Sequence, residues 1–368
     1  MRIKNIRLIN FRNYEKLSVD FDSNLNIFLG DNAQGKTNLL ESIFYFAGGR
    51  SNRTSQDREL IRWNQPFFNI SADFDTHKGS FNVKAAYTVE GKKKIMVNSL
   101  NQKRFPEDIK AVIFSPEDLT LVKGPPSGRR DFLDREIGQI SAVYSNILRD
   151  YSKILRQRNK VLKLSIDRKK TEEDLSLWDE QLIHYGSQVL KKRLDIIQQL
   201  SILSRLVYRR LTNQKENMRL QYVTGMKVDQ NWELEDLKNV FREQLNMVKK
   251  EELRQRVTLL GPHRDDLKIF IDHQPAKNFA SQGQQRTCVL ALKLSIVEII
   301  KGKWGEYPVL LLDDVFSELD QSRRTYLVHE IKKGIQTFIT GTREAEIFKN
   351  VTVPAKNFLI QQGSVKVL

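Results

Sequence analysis

One short stretch of the chain constrains its fold more than any other. Residues 30–37 read Gly-Asp-Asn-Ala-Gln-Gly-Lys-Thr, which matches the P-loop spacing GxxxxGK followed by Ser or Thr. The β-rich segment Leu25–Leu29 precedes this stretch, and a helical pattern from Leu39 to Phe44 follows it. Because a P-loop lies between a strand and a helix, the context favours a phosphate-binding loop over a chance glycine-rich loop.

The residue types in this loop predict that it binds a nucleoside triphosphate with Mg²⁺. Glycines let backbone N–H groups point at phosphate oxygens, and the N-terminus of the next helix adds partial positive charge. Lys36 is expected to neutralise the β- and γ-phosphates, and Thr37 to offer its hydroxyl to Mg²⁺. The predicted nucleotide-binding residues of this segment are Gly30, Asp31, Asn32, Ala33, Gln34, Gly35, Lys36, Thr37 and Asn38.

A second motif supplies the carboxylates that hydrolysis requires. The apolar strand pattern Pro308–Leu312 is followed directly by Asp313 and Asp314. Two carboxylates at the end of a buried strand are costly unless a cation meets them. We therefore expect Asp313 to hold Mg²⁺ and Asp314 to polarise the attacking water, with Lys36 as the third catalytic residue. A helix N-cap acid with an acidic neighbour is the alternative interpretation.

Charge indicates the class of partner. The chain contains 61 Lys and Arg against 45 Asp and Glu, a net charge of +16. This excess predicts a polyanionic partner, nucleic acid first and an acidic membrane surface second. No apolar run approaches the roughly 20 residues of a membrane-spanning helix, and the basic start has no apolar signal core, so we expect a cytoplasmic protein. Cys288 is the only cysteine, which excludes an internal disulfide and a multi-thiolate metal site.

The order of patterned segments predicts an α/β protein with a helical insertion. The period becomes helical after the breaker cluster Gly124–Gly128 and stays so to about Arg256. The predicted division is an α/β lobe of residues 1–127 and 290–368 and a mainly helical lobe of residues 128–289. Strands are predicted at Ile3–Ile9, Leu17–Phe21, Leu25–Leu29, Phe67–Phe74, Phe81–Val89, Lys94–Val97, Leu267–Ile271, Pro308–Leu312, Gln336–Ile339 and Phe358–Ile360.

Within the insertion, apolar residues recur at seven-residue spacing in two segments. The first runs from Ile140 to Val161 and the second from Leu175 to Leu203, with the charged stretch Asp167–Asp174 as the expected turn. Two long antiparallel helices would form an arm, and a simple helical subdomain is the alternative. Another long helix is predicted from Gln284 to Ile300.

A third motif, Ser281–Arg286, completes an ordered set. Alone it indicates only a helix start with Ser281 as N-cap. The order of P-loop, Ser-x-Gly-Gln helix start, apolar strand with two acids and then Ser317–Asp320 resembles the ATP-binding-cassette head. The stretch Gly30–Glu41 is similar to the branch of that superfamily that contains chromosome-maintenance and recombination ATPases.

Within that branch the chain resembles the RecF family of bacterial recombination mediators. The resemblance spans nearly the whole chain and is densest in Asn10–Tyr14, Phe114–Leu119, Gly124–Arg130, Gly261–Asp266 and Ser281–Thr287. It implies a weak, DNA-stimulated ATPase of recombinational repair and replication that dimerises with ATP, closes on gapped DNA at single-strand/double-strand junctions and helps to load a recombinase. The implied cofactors are ATP and Mg²⁺. The implied partners are DNA, a second copy of the chain and RecR, with RecO in the same pathway, and the implied location is the nucleoid.

The resemblance also implies roles for residues outside the P-loop. Ser281, Gly283 and Gln284 would reach the γ-phosphate held by the other subunit of the dimer. Arg12 would lie close to the nucleotide, and Asp320 near the dimer seam.

Three departures from the usual cassette pattern bear on the chemistry. Asp314 stands where transporter-type cassettes carry Glu, and the shorter side chain implies slow hydrolysis. Thr340–Thr342 occupy the position that often carries a histidine, and Ser115–Glu117 are expected to replace the glutamine loop.

Lysines and arginines of the predicted helical lobe are the candidate DNA contacts. Residues 140–170 hold nine Lys and Arg against two acids, and residues 191–215 hold seven against one. If the two helices are antiparallel, these clusters would form one basic stripe that neutralises DNA phosphates without reading the base sequence. A solvated charged face without a DNA contact is the alternative. Lys92–Lys94 form a separate candidate for a DNA contact. The stripe residues are Arg149, Lys153, Arg156, Arg158, Lys160, Lys191, Lys192 and Arg193.

Three other functions fit parts of the pattern. A soluble ATPase subunit of a transporter would need a membrane partner, and the transporter-type LSGGQ sequence is absent. An ATP-regulated nuclease would need a second, metal-rich site. A binding scaffold without measurable hydrolysis would be told apart by single-turnover ATP hydrolysis with and without DNA.

Overall fold

The chain divides into two compact units. The computed structural model describes residues 1–164, 168–229, 232–316, 319–342 and 354–368. The first unit comprises Met1–Leu119, Arg210–Gln214 and Arg286–Leu368, and the second comprises Thr120–Arg209 and Lys215–Gln285. Segments from both ends of the chain therefore build the first unit.

The described residues form three β-sheets and a set of α-helices. The strands are β1 (Arg2–Phe11), β2 (Tyr14–Asp20), β3 (Leu25–Leu29), β4 (Phe67–Thr76), β5 (Gly79–Thr88), β6 (Lys93–Val97), β7 (Leu100–Gln102), β8 (Ala111–Phe114), β9 (Met218–Val223), β10 (Asp266–Ile271), β11 (Gln274–Pro275), β12 (Val309–Leu312), β13 (Thr337–Gly341), β14 (Ala355–Gln361) and β15 (Ser364–Val367). The α-helices are α1 (Lys36–Tyr45), α2 (Thr120–Lys123), α3 (Pro126–Ile140), α4 (Ala142–Leu164), α5 (Arg168–Leu211), α6 (Leu234–Gln255), α7 (Ala276–Phe279), α8 (Gln282–Trp304) and α9 (Gln321–Ile331). Two 3₁₀ turns lie at Asp57–Leu60 and Pro116–Leu119.

A mostly parallel sheet forms the centre of the first unit. Its strand order is β15-β14-β3-β13-β12-β8, and all its pairings except β14 with β15 are parallel. Strands β8, β12 and β13 are buried at every residue, which explains why their sequences do not alternate. Parallel strands share one carboxyl edge, so the residues that follow β3, β8, β12 and β13 come together there.

An antiparallel sheet of order β2-β1-β4-β5-β6-β7 covers the same core. Its alternation of buried and exposed residues sends one row of side chains inward, where Ile6, Ile70 and Val83 join a hydrophobic cluster with Leu40 and Phe44 of α1. Complete burial of a side chain of this size contributes about 1.5–3 kcal/mol. The other face of the sheet is open to solvent.

The second unit contains two long helices packed antiparallel. Arg158 of α4 contacts Asp179 of α5, and Tyr144 of α4 contacts Arg193 of α5, so the two helices run in opposite directions. Arg158 also binds Glu252 of α6, which makes the pair part of a larger helical packing.

Most predicted elements are confirmed, with three corrections. All ten predicted strands are present to within three residues at each end, and the helix predicted at Gln284–Ile300 lies inside α8. The predicted turn at Asp167–Asp174 is wrong because α5 begins at Arg168; Asp167 itself lies outside the described residues. The expected helical period to Arg256 is interrupted by β9, which pairs with β10, a strand distant in the sequence. Strand β8 was not predicted, because a run of four apolar residues fits a short strand and a segment of a buried helix equally well.

Candidate nucleotide-binding site

The P-loop connects β3 to α1 through backbone positions that require glycine. Gly35 is the N-cap of α1 with φ of 117°, a conformation that other residues rarely adopt. Gly30 lies so close to β14 that a Cβ atom there would be 2.3 Å from the carbonyl oxygen of Ile360. A side chain at either position would displace the loop from the strand and helix that hold it.

Lys36 is folded onto its own loop. Its Nζ donates hydrogen bonds to the carbonyl oxygens of Gly30 at 2.6 Å and Asp31 at 2.8 Å. Burial lowers the pKa of Lys36, and the nearby carboxylates of Asp314, Asp313 and Asp31 oppose that shift. The ammonium group is therefore pre-positioned at the loop in a partly desolvated environment.

Thr37 and Asp313 meet at the carboxyl edge of the parallel sheet. The Thr37 hydroxyl donates to Asp313 Oδ1 at 3.0 Å, and the Thr340 hydroxyl at the end of β13 donates to the same oxygen at 2.7 Å. Burial raises the pKa of Asp313, the two hydroxyls lower it, and Glu117 and Asp314 raise it further. The carboxylate is thus costly to ionise here, and a cation would relieve that cost.

Asp314 lies beside Asp313 in an unusual backbone conformation. Its φ is 53°, in the left-handed region, and its N–H donates to Thr340 Oγ1 at 2.8 Å. The adjacent strand β8 ends at Phe114, whose carbonyl oxygen accepts the N–H of Asp313 at 2.9 Å. Both acids are therefore positioned by the two neighbouring strands, through the Phe114 carbonyl of β8 and the Thr340 side chain of β13.

Ser115–Glu117, which the sequence analysis placed at the glutamine-loop position, follow β8. Register pairs Phe114 with Leu312, so this segment begins level with Asp313. Ser115 donates its N–H to Asp118 Oδ2 at 2.8 Å, and Asp118 pairs with the buried Lys293 at 3.0 Å. These contacts anchor the turn to α8.

The donor set fits a magnesium nucleotide. Thr37 and Asp313 present a hydroxyl and a carboxylate oxygen 3.0 Å apart, and such hard oxygen ligands are the ones Mg²⁺ takes. Gly30 and Gly35 let the loop backbone pack against Ile360 and Asn13, where a Cβ atom would clash, and Lys36 supplies a cation at the same loop. No cluster of three or more His, Cys, Asp or Glu suited to a metal occurs among the described residues.

Two hairpins from opposite ends of the sequence hold the P-loop. At the β1–β2 turn, Asn13 Nδ2 donates to the Gln34 carbonyl at 3.0 Å and the buried Tyr14 hydroxyl donates to the Gly35 carbonyl at 3.0 Å. At the β14–β15 turn, the N–H of Gln362 donates to Gln34 Oε1 at 2.7 Å. These supports were missed by sequence reasoning, because only the fold brings such distant residues to the loop.

The Arg12 side chain contacts helix α1. Its guanidinium makes a bidentate pair with the buried Glu41, with both bonds at 2.8 Å, and donates to the Glu59 carbonyl at 2.9 Å. Ser51 donates a short hydrogen bond to the same Glu41 carboxylate, and Arg53 donates to Asn38 Oδ1 at 3.2 Å. Glu41 therefore orders the charged groups at the first turns of α1.

The Ser-x-Gly-Gln motif begins α8 in the second unit. Ser281 and Gln284 form a reciprocal capping pair, in which Ser281 N donates to Gln284 Oε1 at 2.9 Å and Gln284 N donates to Ser281 Oγ at 3.2 Å. Gln284 Nε2 also donates to Glu216 at 2.9 Å. Ser281 is exposed and Gly283 half-buried. Asp320 is the exposed N-cap of α9, and Ser317 and Glu318 of the same motif lie outside the described residues.

The predicted basic stripe is wrong at two of its residues. Arg158 is fully buried between Asp179 and Glu252, and Arg193 is buried against Asp134 and the Pro262 carbonyl. Both arginines are structural cations, because their heptad positions face the helix interface. Among the other members, Arg149, Lys153 and Lys191 contact carboxylates, whereas Arg156, Lys160 and Lys192 are exposed.

The Gly261–Asp266 motif is also structural in this chain. Arg129 makes a bidentate pair with Asp266, and the His263 ring bonds the Tyr151 hydroxyl at 2.6 Å. Burial lowers the pKa of His263 to about 4, so the ring is neutral near pH 7. Tyr144 and Tyr151 are buried, as expected of core residues.

Comparison with known proteins agrees with this geometry. A sequence profile described as RecF/RecN/SMC N terminal domain matches residues 2–366. DNA replication and repair protein RecF of Natranaerobius thermophilus is 42% identical over 383 residues, covering 99% of this chain and 97% of the relative. The corresponding protein of Clostridium novyi is 43% identical over 369 residues, covering 99% of both chains.

No helix among the described residues is long and apolar enough to cross a membrane. Comparison with solved structures gives the same family as the comparison of sequences. The recombination mediator protein RecF-ATP of the RecFOR pathway is similar with a TM-score of 0.92 at 35% identity, covering 100% of this chain and 97% of that one. The RecF-ATPrS structure gives 0.90 at 35%, with coverage of 100% and 98%. An Smc head domain of Pyrococcus furiosus shares the fold, at 0.57 and 15% identity over 100% of this chain and 96% of that one. The chain therefore belongs to the RecF family and has the ATP-binding-cassette-like ATPase head of RecF and SMC proteins.

Proposed function

We propose that this protein is an ATP-driven switch that binds DNA during recombinational repair and replication. ATP closes a homodimer on gapped DNA, at a junction of single and double strands, and slow hydrolysis reopens it. The observation that carries the proposal is the convergence of Lys36, Thr37 and Asp313 at one edge of the parallel sheet. Relatives described as RecF-ATP and RecF-ATPrS support ATP as the nucleotide.

Each residue of the loop has a separable task. Gly30–Asn38 would hold the phosphates, Lys36 would neutralise them, and Thr37 with Asp313 would hold Mg²⁺. Bound Mg²⁺ would supply charge neutralisation at the phosphates. Asp314 would orient water, and its short side chain together with its constrained backbone fits a slow ATPase.

Ser281, Gly283 and Gln284 would complete the site of a second subunit. Their capping pair fixes the first turn of α8, and exposed Ser281 leaves its hydroxyl accessible at that helix N-terminus. A helix N-terminus stabilises negative charge, so it suits a γ-phosphate presented by another chain. ATP would then favour the closed dimer because it gains contacts only in that state. Asp320 would lie near the seam.

The remaining assignments extend the RecF relationship. We infer a helical lobe of residues 128–289 that carries the signature motif at its end, inserted in an ATPase lobe of residues 1–127 and 290–368. RecR is the proposed loading partner, with RecO in the same pathway, since the related structures are described within RecFOR. Recombinase loading and a place at the nucleoid follow from the same proposal.

Mixing two inactive variants tests the composite site. Lys36→Ala disables the P-loop and Ser281→Arg disables the signature motif, so each variant alone should hydrolyse ATP at background rate. If Ser281 acts on the partner's nucleotide, every heterodimer carries one intact site out of two. The mixture should therefore regain hydrolysis, to about a quarter of the wild-type rate if the two variants pair at random. A mixture as inactive as its components contradicts the composite site. Sizing chromatography with ATP checks that wild type dimerises and Lys36→Ala does not.

A further inference from the structure

The outer face of the antiparallel sheet carries four exposed cations that form no direct ion pair among the described residues, although Arg7 interacts electrostatically with Asp73. Arg7 of β1, Lys16 of β2, Lys84 of β5 and Lys94 of β6 are exposed. None of the four has an ion-pair partner among the residues that the structure describes. By contrast, the buried arginines of the second unit each form an ion pair with a carboxylate.

Strand register places these cations in two adjacent rows. One row crosses the sheet as Lys16, Ile9, Asn69, Ala86 and Lys94, and the next as Ser18, Arg7, Ser71, Lys84 and Met96. Neighbouring strands lie about 4.8 Å apart, so Lys16 and Lys94 stand roughly 19 Å apart, and Arg7 and Lys84 roughly 10 Å. Neither row contains an acid, whereas the following row contains Asp20 and Asp73 and ends the basic area.

Trp63 stands at one end of this face. It is 81% exposed, which is unusual for the largest apolar side chain. It lies in a turn closed by the hydrogen bond from Gln65 N to the Arg62 carbonyl, and Arg62 N donates to the Asn10 carbonyl beside Ile9. The turn is therefore tied to the end of β1 by a backbone hydrogen bond, and the Trp63 side chain that it carries is exposed to solvent.

We propose that this face, defined as Arg7, Lys16, Lys84, Lys94 and Trp63, docks a single strand of DNA with unpaired bases. The inference rests on the proposed DNA-binding function and assigns it a surface. Charge complementarity selects a polyanion, and the short side chains between the cations leave room for a sugar-phosphate backbone. An exposed indole ring fixed at the end of the row offers a stacking surface that paired bases in a duplex cannot use.

Two variants of the full-length protein test the face, with ATP and Mg²⁺ present. Arg7→Glu/Lys84→Glu should weaken binding of a fluorescent oligo-dT strand at least about tenfold and reduce the slope of log K against log salt by about 1.4. Trp63→Ala should weaken oligo-dT binding about tenfold and leave a blunt duplex of equal length unaffected, whereas Trp63→Phe should keep most of the affinity.

The matched control is Lys268→Glu/Lys366→Glu, which makes the same charge change at exposed strand positions outside the face. If Arg7→Glu/Lys84→Glu binds oligo-dT as well as this control, the face is not the docking surface. If Trp63→Ala weakens duplex and single strand equally, the single-strand assignment is wrong. A wild-type protein that binds neither oligonucleotide at any nucleotide state overturns the proposed function itself.

Discussion

The hydroxyl of Thr340 donates a 2.7 Å hydrogen bond to Asp313 Oδ1, and its oxygen accepts the N–H of Asp314 at 2.8 Å. One short side chain on β13 thus positions both acids that follow β12. Thr340 therefore has a positioning role that the sequence pattern alone did not reveal.

Replacing this hydroxyl should separate nucleotide binding from hydrolysis. Thr340→Val leaves the Asp314 N–H without a partner and leaves Asp313 Oδ1 with the Thr37 hydroxyl alone, which costs about 1–3 kcal/mol of folding free energy. We expect ATP to bind with little change while single-turnover hydrolysis falls at least about tenfold, equivalent to about 1.4 kcal/mol in the barrier.

Thr340→Ser is the control, since it keeps the hydroxyl and should retain most of the hydrolysis rate. Equal losses in the serine and valine variants would indicate that packing of the threonine methyl group, rather than its hydrogen bonds, matters.

The buried charge of Asp313 should appear in the pH dependence of stability. Because burial raises its pKa above the ordinary value of 3.8, the folded state holds the proton more tightly than the unfolded state. The free energy of unfolding therefore falls as the pH rises from 3.8 through the pKa of Asp313 in the folded state, and it stays lower at higher pH. Asp313→Asn should increase the free energy of unfolding in urea at pH 7, with a gain that shrinks as pH falls towards the ordinary value.

Asp20→Asn removes the same charge from an exposed strand end and controls for net charge in that experiment. A destabilised Asp313→Asn protein at pH 7 would contradict the argument from burial.

Gly363 should support nucleotide binding from a distance. Its N–H donates to the Gln34 carbonyl at 3.2 Å, and with φ of 75° a Cβ atom there would lie 2.8 Å from the Asn13 carbonyl oxygen. Gly363→Ala should cost about 1–3 kcal/mol in backbone strain and weaken ATP binding by shifting the loop. Gly305→Ala, at φ of 76° with nothing within 4 Å, shares the strain and should bind ATP normally in calorimetry.

Arg158 should behave as a core residue rather than a DNA contact. Its guanidinium bonds Asp179 at 2.7 Å, Glu252 at 2.6 Å and Thr258 at 2.8 Å with no exposure to solvent. Arg158→Met removes the cation from buried Glu252 and leaves Asp179 with Lys249 alone, so it should lower the free energy of unfolding by about 3–5 kcal/mol in urea titrations. Its exposed neighbour gives the comparison: Lys160→Met should change stability by less than about 0.5 kcal/mol.

Local sequence was sufficient for the elements that carry the nucleotide chemistry. The P-loop and the strand that ends at Asp313 are marked by residue types at fixed spacing, and the structure places them side by side. Alternating patterns likewise predicted the antiparallel sheet, because one of its faces is buried and the other solvated.

The features that could not be predicted from the sequence depend on contacts between residues far apart in the chain. β9 alternates buried Met218 and Leu220 with polar residues, but only its pairing with β10 distinguishes it from the surrounding helices. Arg158 and Arg193 look like surface cations until the carboxylates opposite them are known. Charge counts along a chain do not reveal which charges are already paired, and this is why Arg158 and Arg193 were wrongly assigned to the basic stripe.

The hydrogen bond from Gln362 N to Gln34 Oε1 joins residues 328 positions apart. During synthesis, a nascent chain would carry the glycine loop for most of its time on the ribosome without the hairpin that steadies it. Competence to hold ATP would then arise late, once the final hairpin emerges and folds back. A product that stops before residue 362 would therefore lack this support for the loop.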